Sequence, residues 1–396
     1  MMESWREVKL GSLITTHKGY AFKSKWYQDN GVAIARVSDF NENSISTDDL
    51  FYISPEIAKD YTRYKLKKRE VIIQTVGSGP NNPLSIVGKV ICVPEDLNDA
   101  LLNQNAVKLL ALNSIDNSFL YYRLKDEHFK YHCLNHSKGG ANQMSITLDS
   151  IKRFEFNLPP LKTQRRIASI LSGYDDLIEN NLKRIKLLEE QAQQTYEEWF
   201  VRFKFPDYEN VEIDAVSGLP VGWEKMKLDI VLKASNGKSF KSDFLDYNDL
   251  PVYGSNGVIG QSNVFNNEEA IIVGRVGAYC GATRYCKGKF WATDNTITLT
   301  SINERMPNVL AFYIIMLFDL RNMAGGSAQP LLTQRLINNL DLVVPSIEIA
   351  SKFKDLVKRI LDTVLILQSQ NQLLKEARDI LLPRLMSGLV DVDKIK

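Results

Sequence analysis

Three histidines and a cysteine fall close together at His128, His132, Cys133 and His136. The i, i+4 spacing of His128 and His132 would put both on one helix face, as in many zinc sites. The surrounding pattern recurs about 190 positions on, and that second copy has no counterpart to them. An exposed helix end is the simpler reading. Cys280 and Cys286 lack a second pair at finger-like spacing, so no metal site is expected. Gly77-Ser78-Gly79 lacks the third glycine and following helix of a dinucleotide turn, and no Walker A run occurs. Asn157-Leu158-Pro159-Pro160 is a near miss, in the wrong order, of the Asn-Pro-Pro-aromatic tetrad of an amino-methyltransferase. Pro206-Asp207 could open a nuclease motif, but no (Asp/Glu)-x-Lys follows it. No catalytic residue is expected, and no cofactor is expected in this chain.

Binding chemistry remains. Lys65, Lys67, Lys68 and Arg69 are interleaved with Tyr61 and Tyr64, and a loop with Ser78, Asn81 and Asn82 follows. Arg275, Tyr279, Thr283, Arg284, Lys287 and Lys289 occupy the matching strand–loop–strand of the second copy. Two Gly-Gly loops add Lys138, Asn142 and Gln143 in one copy and Gln329 in the other. Lys and Arg hold phosphates, while Asn, Gln, Thr and Arg read base edges. These are the candidate DNA-binding residues. A solvated surface with ordinary hairpins is the plainer alternative, and the repetition of the pattern weighs against it. The net charge of +2 gives no general attraction to nucleic acid, so such a surface must be local.

Two rods must position these loops. From Lys162 to Phe200 no proline occurs, and seam residues recur at Ile167, Leu171, Tyr174, Ile178, Asn181, Ile185 and Leu188. The 4,3 spacing is that of a helix whose narrow stripe meets another helix. About 39 residues at 1.5 Å each make a rod of roughly 58 Å. The same stripe returns 186 positions on, at Phe353, Val357, Ile360, Val364, Leu367, Asn371 and Leu374. A seam Asn fixes register at a cost in stability. The second rod is expected to end near Pro383.

The repeat extends beyond the rods, and such periods decide a fold. Trp5-Arg6-Glu7-Val8-Lys9-Leu10 matches Trp223-Glu224-Lys225-Met226-Lys227-Leu228, and Gly19 matches Gly237, both a shift of 218. Val71-Ile72-Ile73 matches Ile271-Ile272-Val273, a shift of 200, and Asn105 matches Asn295, a shift of 190. The fall from 218 to 186 means that the second copy has lost about 32 residues. β-branched runs at 8–13, 32–37, 71–76, 85–93 and 106–112 read as strands, and 118–131 as a helix. The fold class is α+β, with two mainly β domains joined by two long antiparallel coiled-coil helices. The domains expected are 1–160, a first rod at 161–206, a linker at 207–222, 223–345, and a second rod with tail at 346–396. No apolar run is long enough to span a bilayer. The start has no signal-peptide core, and four unpaired cysteines fit a cytoplasmic protein.

Several stretches together resemble one family. They are Leu158-Pro159-Pro160-Leu161 with Gln164-Arg165-Arg166-Ile167-Ala168, then Trp199-Phe200-Val201-Arg202-Phe203. Gly218-Leu219-Pro220-Val221-Gly222-Trp223 and Leu382-Pro383-Arg384-Leu385-Met386-Ser387-Gly388 complete the set. In this order and with the repeat, the chain resembles the specificity subunit of Type I restriction–modification systems. The second rod departs from the pattern, with Ile349-Ala350-Ser351-Lys352-Phe353 where Gln-x-x-Ile-Ala is usual. The resemblance implies that each globule is a target recognition domain reading half of a split site in double-stranded DNA, and that the rods set the spacing. It implies two modification (methyltransferase) subunits that use S-adenosylmethionine. It also implies restriction subunits (translocase-nucleases) that use ATP and Mg. A coiled-coil scaffold that assembles partners without reading DNA is the alternative function.

Overall fold

The computed structural model describes residues 5–41, 44–82, 85–140, 143–240, 250–325 and 330–392. Asn142 and Gln329, two of the candidate DNA-binding residues, lie outside them. The chain divides into two compact units, Met1–Asn180 with Gln370–Lys396, and Asn181–Ser369.

In the first unit, Val71–Gln74 pairs antiparallel with Ala106–Ala111 on one side and Val90–Cys92 on the other. Ile14–Lys18 extends the sheet beyond Ala106–Ala111. All four residues of Val71–Gln74 are buried, because both faces are covered. Val71 and Ile73 point to a core shared with Phe119 and Leu120. Ile72 points to another core with Ile91 and Leu97. This alternation is the two-residue period of a strand. A second sheet runs Phe51–Ile53, Val32–Ala35, Leu101–Leu102, the last pair parallel.

The second unit repeats the plan. Asn267–Gly274 lies between Thr296–Ser301 and Thr283–Ala292, and Leu232–Asn236 extends the sheet. Ile271 and Val273 face the main core, Ala270 and Ile272 a smaller one with Phe290. Leu250–Gly254 runs parallel to the end of Thr283–Ala292, as Val32–Ala35 does to Leu101–Leu102. The ladders agree residue for residue: Lys18 and Ile73 both oppose Val107, and Asn236 and Val273 both oppose Ile297.

Some local expectations change. The segment 8–13 is half strand: Arg6–Lys9 is extended and Leu10–Ser12 is a 3-10 turn. The helix expected over 118–131 is two, Asn117–Lys125 and Glu127–His136, divided at Asp126. The Asp126 carboxylate accepts the His128 amide at 2.9 Å, and an Asp cap of this kind starts a new helix. Lys138–Gly140 is not open loop but a strand against Gln143–Ser145. The segment 207–222 carries a bridge between Ile213 and Pro220 and buries Leu219 in the second unit's core.

The first long helix is Leu161–Tyr196, continued by a π-turn over Glu197–Val201. The second, Ile347–Met386, continues through Pro383. Proline removes one backbone donor and crowds the carbonyl four residues back. In the last turn that forgoes one bond, and Gly388, at φ +74°, then turns the chain. The seam residues are buried except Tyr174, Leu188 and Leu374, which are half-buried. Asn181 and Asn371 are among the buried ones.

Each unit holds half of each helix. In the first, Leu171 and Leu385 share one core, and Arg378 Nη1 donates to Asp175 Oδ1 at 2.5 Å. Tyr122 donates to the other oxygen of Asp175 at 2.6 Å. In the second unit, Ile185 packs on Val364 and Leu367, and Phe200 meets Phe353 edge-on at 4.9 Å. Within each unit the first helix's numbers rise as the second's fall, so the pair is antiparallel.

The departure at the head of the second rod has a physical counterpart. Gln164 is buried; its Nε2 donates to the Pro159 carbonyl at 2.8 Å, and its Oε1 accepts the Asp116 amide at 2.8 Å. Ala350 stands in its place in the second copy. There Arg305 reaches in from outside the helix and donates to the carbonyls of Pro345 at 2.8 Å and Gly222 at 3.0 Å.

Candidate nucleic-acid interface

Each central strand has two ends, and the candidate residues divide between them. At the end facing the long helices, Arg69 pairs with Asp176 at 3.0 Å. In the other unit Lys287 pairs with Asp362. Asp176 and Asp362 are 186 positions apart, the shift that relates the two rods. Arg69 and Lys287 therefore tether their globules to equivalent points on the helices. Lys65 pairs with Asp99 at 3.4 Å and Lys68 with Glu95 at 2.8 Å. Lys67 is exposed on the same turn. Lys289 stands over the Phe265 ring at 4.6 Å.

At the opposite end lie the loops. Ser78 is buried and donates to the Asn82 carbonyl at 2.9 Å, which shapes the turn that exposes Asn81 and Asn82. Beneath it, buried Gln74 donates to the carbonyls of Val76 and Ser85. Lys138 and Gln143 are exposed on neighbouring strands, of which Gln143–Ser145 pairs in turn with Val76–Gly77. In the second unit Arg275 donates from Nε to the Leu332 carbonyl at 3.3 Å, and Tyr279 is exposed. Thr283 caps the start of its strand, and Arg284 donates to the Asn256 carbonyl at 3.4 Å. The run Lys65–Arg69 and the loop Ser78–Asn82 are thus at opposite ends of one strand. In the second unit Lys289 opposes Glu268 near the start of Asn267–Gly274, while Arg284 opposes Ile272 near its end and Arg275 follows it.

The loop end is built on a backbone frame common to both units. The Thr75 amide donates to the Asn105 carbonyl at 2.8 Å, and the Ile146 amide to the Thr75 carbonyl at 2.9 Å. The corresponding bonds run from Arg275 to Asn295 and from Leu332 to Arg275, both at 2.9 Å. The Gly19 amide bonds the Ala106 carbonyl at 2.9 Å, and the Gly237 amide bonds that of Thr296 at 3.0 Å. A Cβ on Gly19 would lie 1.9 Å from the Asn103 carbonyl oxygen, and one on Gly237 2.0 Å from that of Thr293. Only glycine fits at either place. In the first unit this frame encloses a cleft of about 510 Å³ with Lys18, Thr75, Gln104, Asn105 and Asp149 along it. Lys18, Gln104 and Asp149 escaped sequence reading because they come from a strand end, a turn and a short helix far apart in sequence. The matched glycines and asparagines of the two copies were the signal that marked the place.

A second surface also escaped it. Tyr20, Phe22, Trp26, Tyr61 and Tyr64 form one ring cluster, with Tyr20 and Tyr61 at 4.7 Å. Lys23 stands over Trp26 and Arg63 over Tyr64. The rings come from segments far apart in sequence, so composition alone could not join them.

The histidines hold local bonds. His128 Nδ1 meets Asp126 Oδ1 at 2.6 Å, His132 Nε2 the Ser150 carbonyl at 2.8 Å, and His136 Nδ1 the His132 carbonyl at 2.8 Å. Cys133 is buried, which pushes its thiol up to about 12. Among the described residues no group of three His, Cys, Asp or Glu could hold a metal ion.

A family model described as the Type I restriction modification DNA specificity domain matches residues 2–190 and 220–376. The chain is 26% identical over 323 residues to the Type I restriction enzyme MjaIX specificity subunit of Methanocaldococcus jannaschii, covering 75% of this chain and 74% of that protein. It is 23% identical over 479 aligned positions to the HindI specificity subunit of Haemophilus influenzae, covering 98% and 100%. Among solved structures, the Type I restriction–modification S subunit from M. genitalium aligns with a TM-score of 0.63. That alignment covers 96% of each chain at 19% identity, a likeness of fold.

Proposed function

The chain belongs to the Type I restriction modification DNA specificity domain family, and from that premise we propose that it reads a two-part DNA site, one half per unit. The family's subunits are the non-catalytic part of Type I restriction–modification systems. Each globule takes one half-site at its loop end. The helix pair holds the two halves of the reading at a fixed spacing. Two methyltransferase subunits and the restriction subunits dock on this scaffold. They supply the S-adenosylmethionine, ATP and Mg chemistry. The complex works in the cytoplasm, beside the host DNA. Among the described residues no helix is long and apolar enough to cross a membrane.

One observation carries this reading. The same hydrogen-bonded frame occurs in both units, while the side chains on it differ. Two readers of unlike half-sequences need that combination, because base edges are discriminated by side-chain donors and acceptors. Replacing residues 1–160 with those of a relative tests it. The methylated motif of the host should then change in one half and keep the other. An unchanged motif would reject the reading.

A further inference from the structure

The shared frame allows the two loop ends to be compared position by position. Lys18 and Asn236 occupy the same ladder position, opposite Val107 and Ile297. Thr75 and Arg275 make the same pair of backbone bonds. Gln104 and Asp294 immediately precede the asparagines whose carbonyls accept the Thr75 and Arg275 amides. Thr147 and Thr333 each cap a short helix through the side-chain oxygen, and Asp149 and Arg335 are the second residues of those helices. Three members of this frame keep their residue type in both units: Gly19 and Gly237, Asn105 and Asn295, Thr147 and Thr333. The four positions beside them all change in charge or hydrogen-bonding type.

Lys18, Gln104 and Asp149 are exposed along the first unit's cleft, and Asn236, Asp294 and Arg335 are exposed in the second. The bonds that build the frame are mainly backbone; side chains add Thr75 Oγ1 to the Asn105 carbonyl at 3.0 Å, Arg275 Nε to the Leu332 carbonyl at 3.3 Å and Ser239 Oγ to Asp294 Oδ2 at 3.2 Å. The backbone of these positions is fixed by those bonds, so each projects from a rigid base. Asn105 is even held at φ +67°, outside the usual range for a non-glycine residue. Fixed backbone with freely variable polar side chains is the arrangement that direct readout needs.

We propose that positions 18, 75, 104 and 149 in the first unit, and 236, 275, 294 and 335 in the second, determine which bases each half-site requires. This rests on the two-part reading and goes beyond it by naming the residues. The chemistry of the two sets predicts different edges. Gln104 offers a paired donor and acceptor, which suits adenine. Asp294 is acceptor-only and suits the cytosine amino group, and Arg275 and Arg335 suit guanine.

The test transplants one set onto the other frame. The full chain carries Lys18→Asn, Thr75→Arg, Gln104→Asp and Asp149→Arg, and the host's methylated motif is read by single-molecule sequencing. The first half-site should change at one or more bases, by about 5- to 100-fold in preference per contact, with the second half unchanged. Gln104→Ala alone, at an exposed position, should relax one base of the first half-site. A wild-type motif from both variants overturns the proposal while leaving the two-part reading intact. A wild-type host whose motifs do not depend on this chain overturns both.

Discussion

Gln164 and Arg305 come from different places in sequence yet serve the same turn of backbone. Each donates to the carbonyl of the second residue of a Leu-Pro or Val-Pro step just before a long helix. Removing a buried donor or acceptor partner leaves the other group desolvated and unpaired, which costs about 1–3 kcal/mol. Gln164→Ala should therefore destabilise the first unit by about that amount, and Arg305→Ala the second, as read by urea unfolding. A loss of less than about 0.5 kcal/mol in both would show that neither side chain anchors its helix. The Asp175–Arg378 pair, nearly enclosed on the Arg378 side, is a stronger case. Arg378→Met leaves Asp175 with only Tyr122, and should cost about 3 kcal/mol, the low end of the range for breaking a buried pair. Adding Asp175→Leu together with Tyr122→Phe should recover most of that loss, because apolar groups at all three places leave neither a charge nor the Tyr122 hydroxyl unpaired. A triple variant no more stable than Arg378→Met would show that the unpaired carboxylate is not the source of the loss.

At the scale of elements, the central strand of each globule works as a lever with two different ends. One end is tethered to a long helix, by Arg69–Asp176 in the first unit and through Lys287 of the neighbouring strand to Asp362 in the second, and the other carries the exposed loops. Both tethers are largely solvated, so each should contribute under about 1 kcal/mol. Arg69→Ala and Lys287→Ala should accordingly leave the methylated motif unchanged and alter stability only slightly. A changed motif in either variant would place base reading at the helix end and contradict its assignment to the loop end. The rods themselves were legible in sequence, since a 4,3 stripe without proline has few other outcomes. So was the correspondence of Gly19 with Gly237 and of Asn105 with Asn295. What could not be read was which end of a strand a basic run would occupy. Lys65–Arg69 and Ser78–Asn82 are close in number but lie on either side of Val71–Gln74. The tethers were also hidden, because Asp176 and Asp362 looked like ordinary outward positions of a solvated helix.

On the scale of the molecule, one chain carries the same plan twice with about 32 residues fewer in the second copy. The shortening spares the rods and the hydrogen-bonded frame. About 18 of those positions fall between Gly19 and Val71, the stretch that carries most of the ring cluster of Tyr20, Tyr61 and Tyr64, where the described residues of the second unit form the hairpin Leu250–Gly254 and Gly257–Ser262. Two heads that share a frame but differ in side chains should address unlike half-sequences, and the head with more surface has room for more contacts to its half. The most direct measurement is the methylome of the host, sequenced with and without this gene. The account predicts that one adenine-methylated motif disappears with the gene, and that it consists of two different short sequences separated by a fixed number of unspecified bases. Disappearance of a continuous or palindromic motif, or of none, would contradict it.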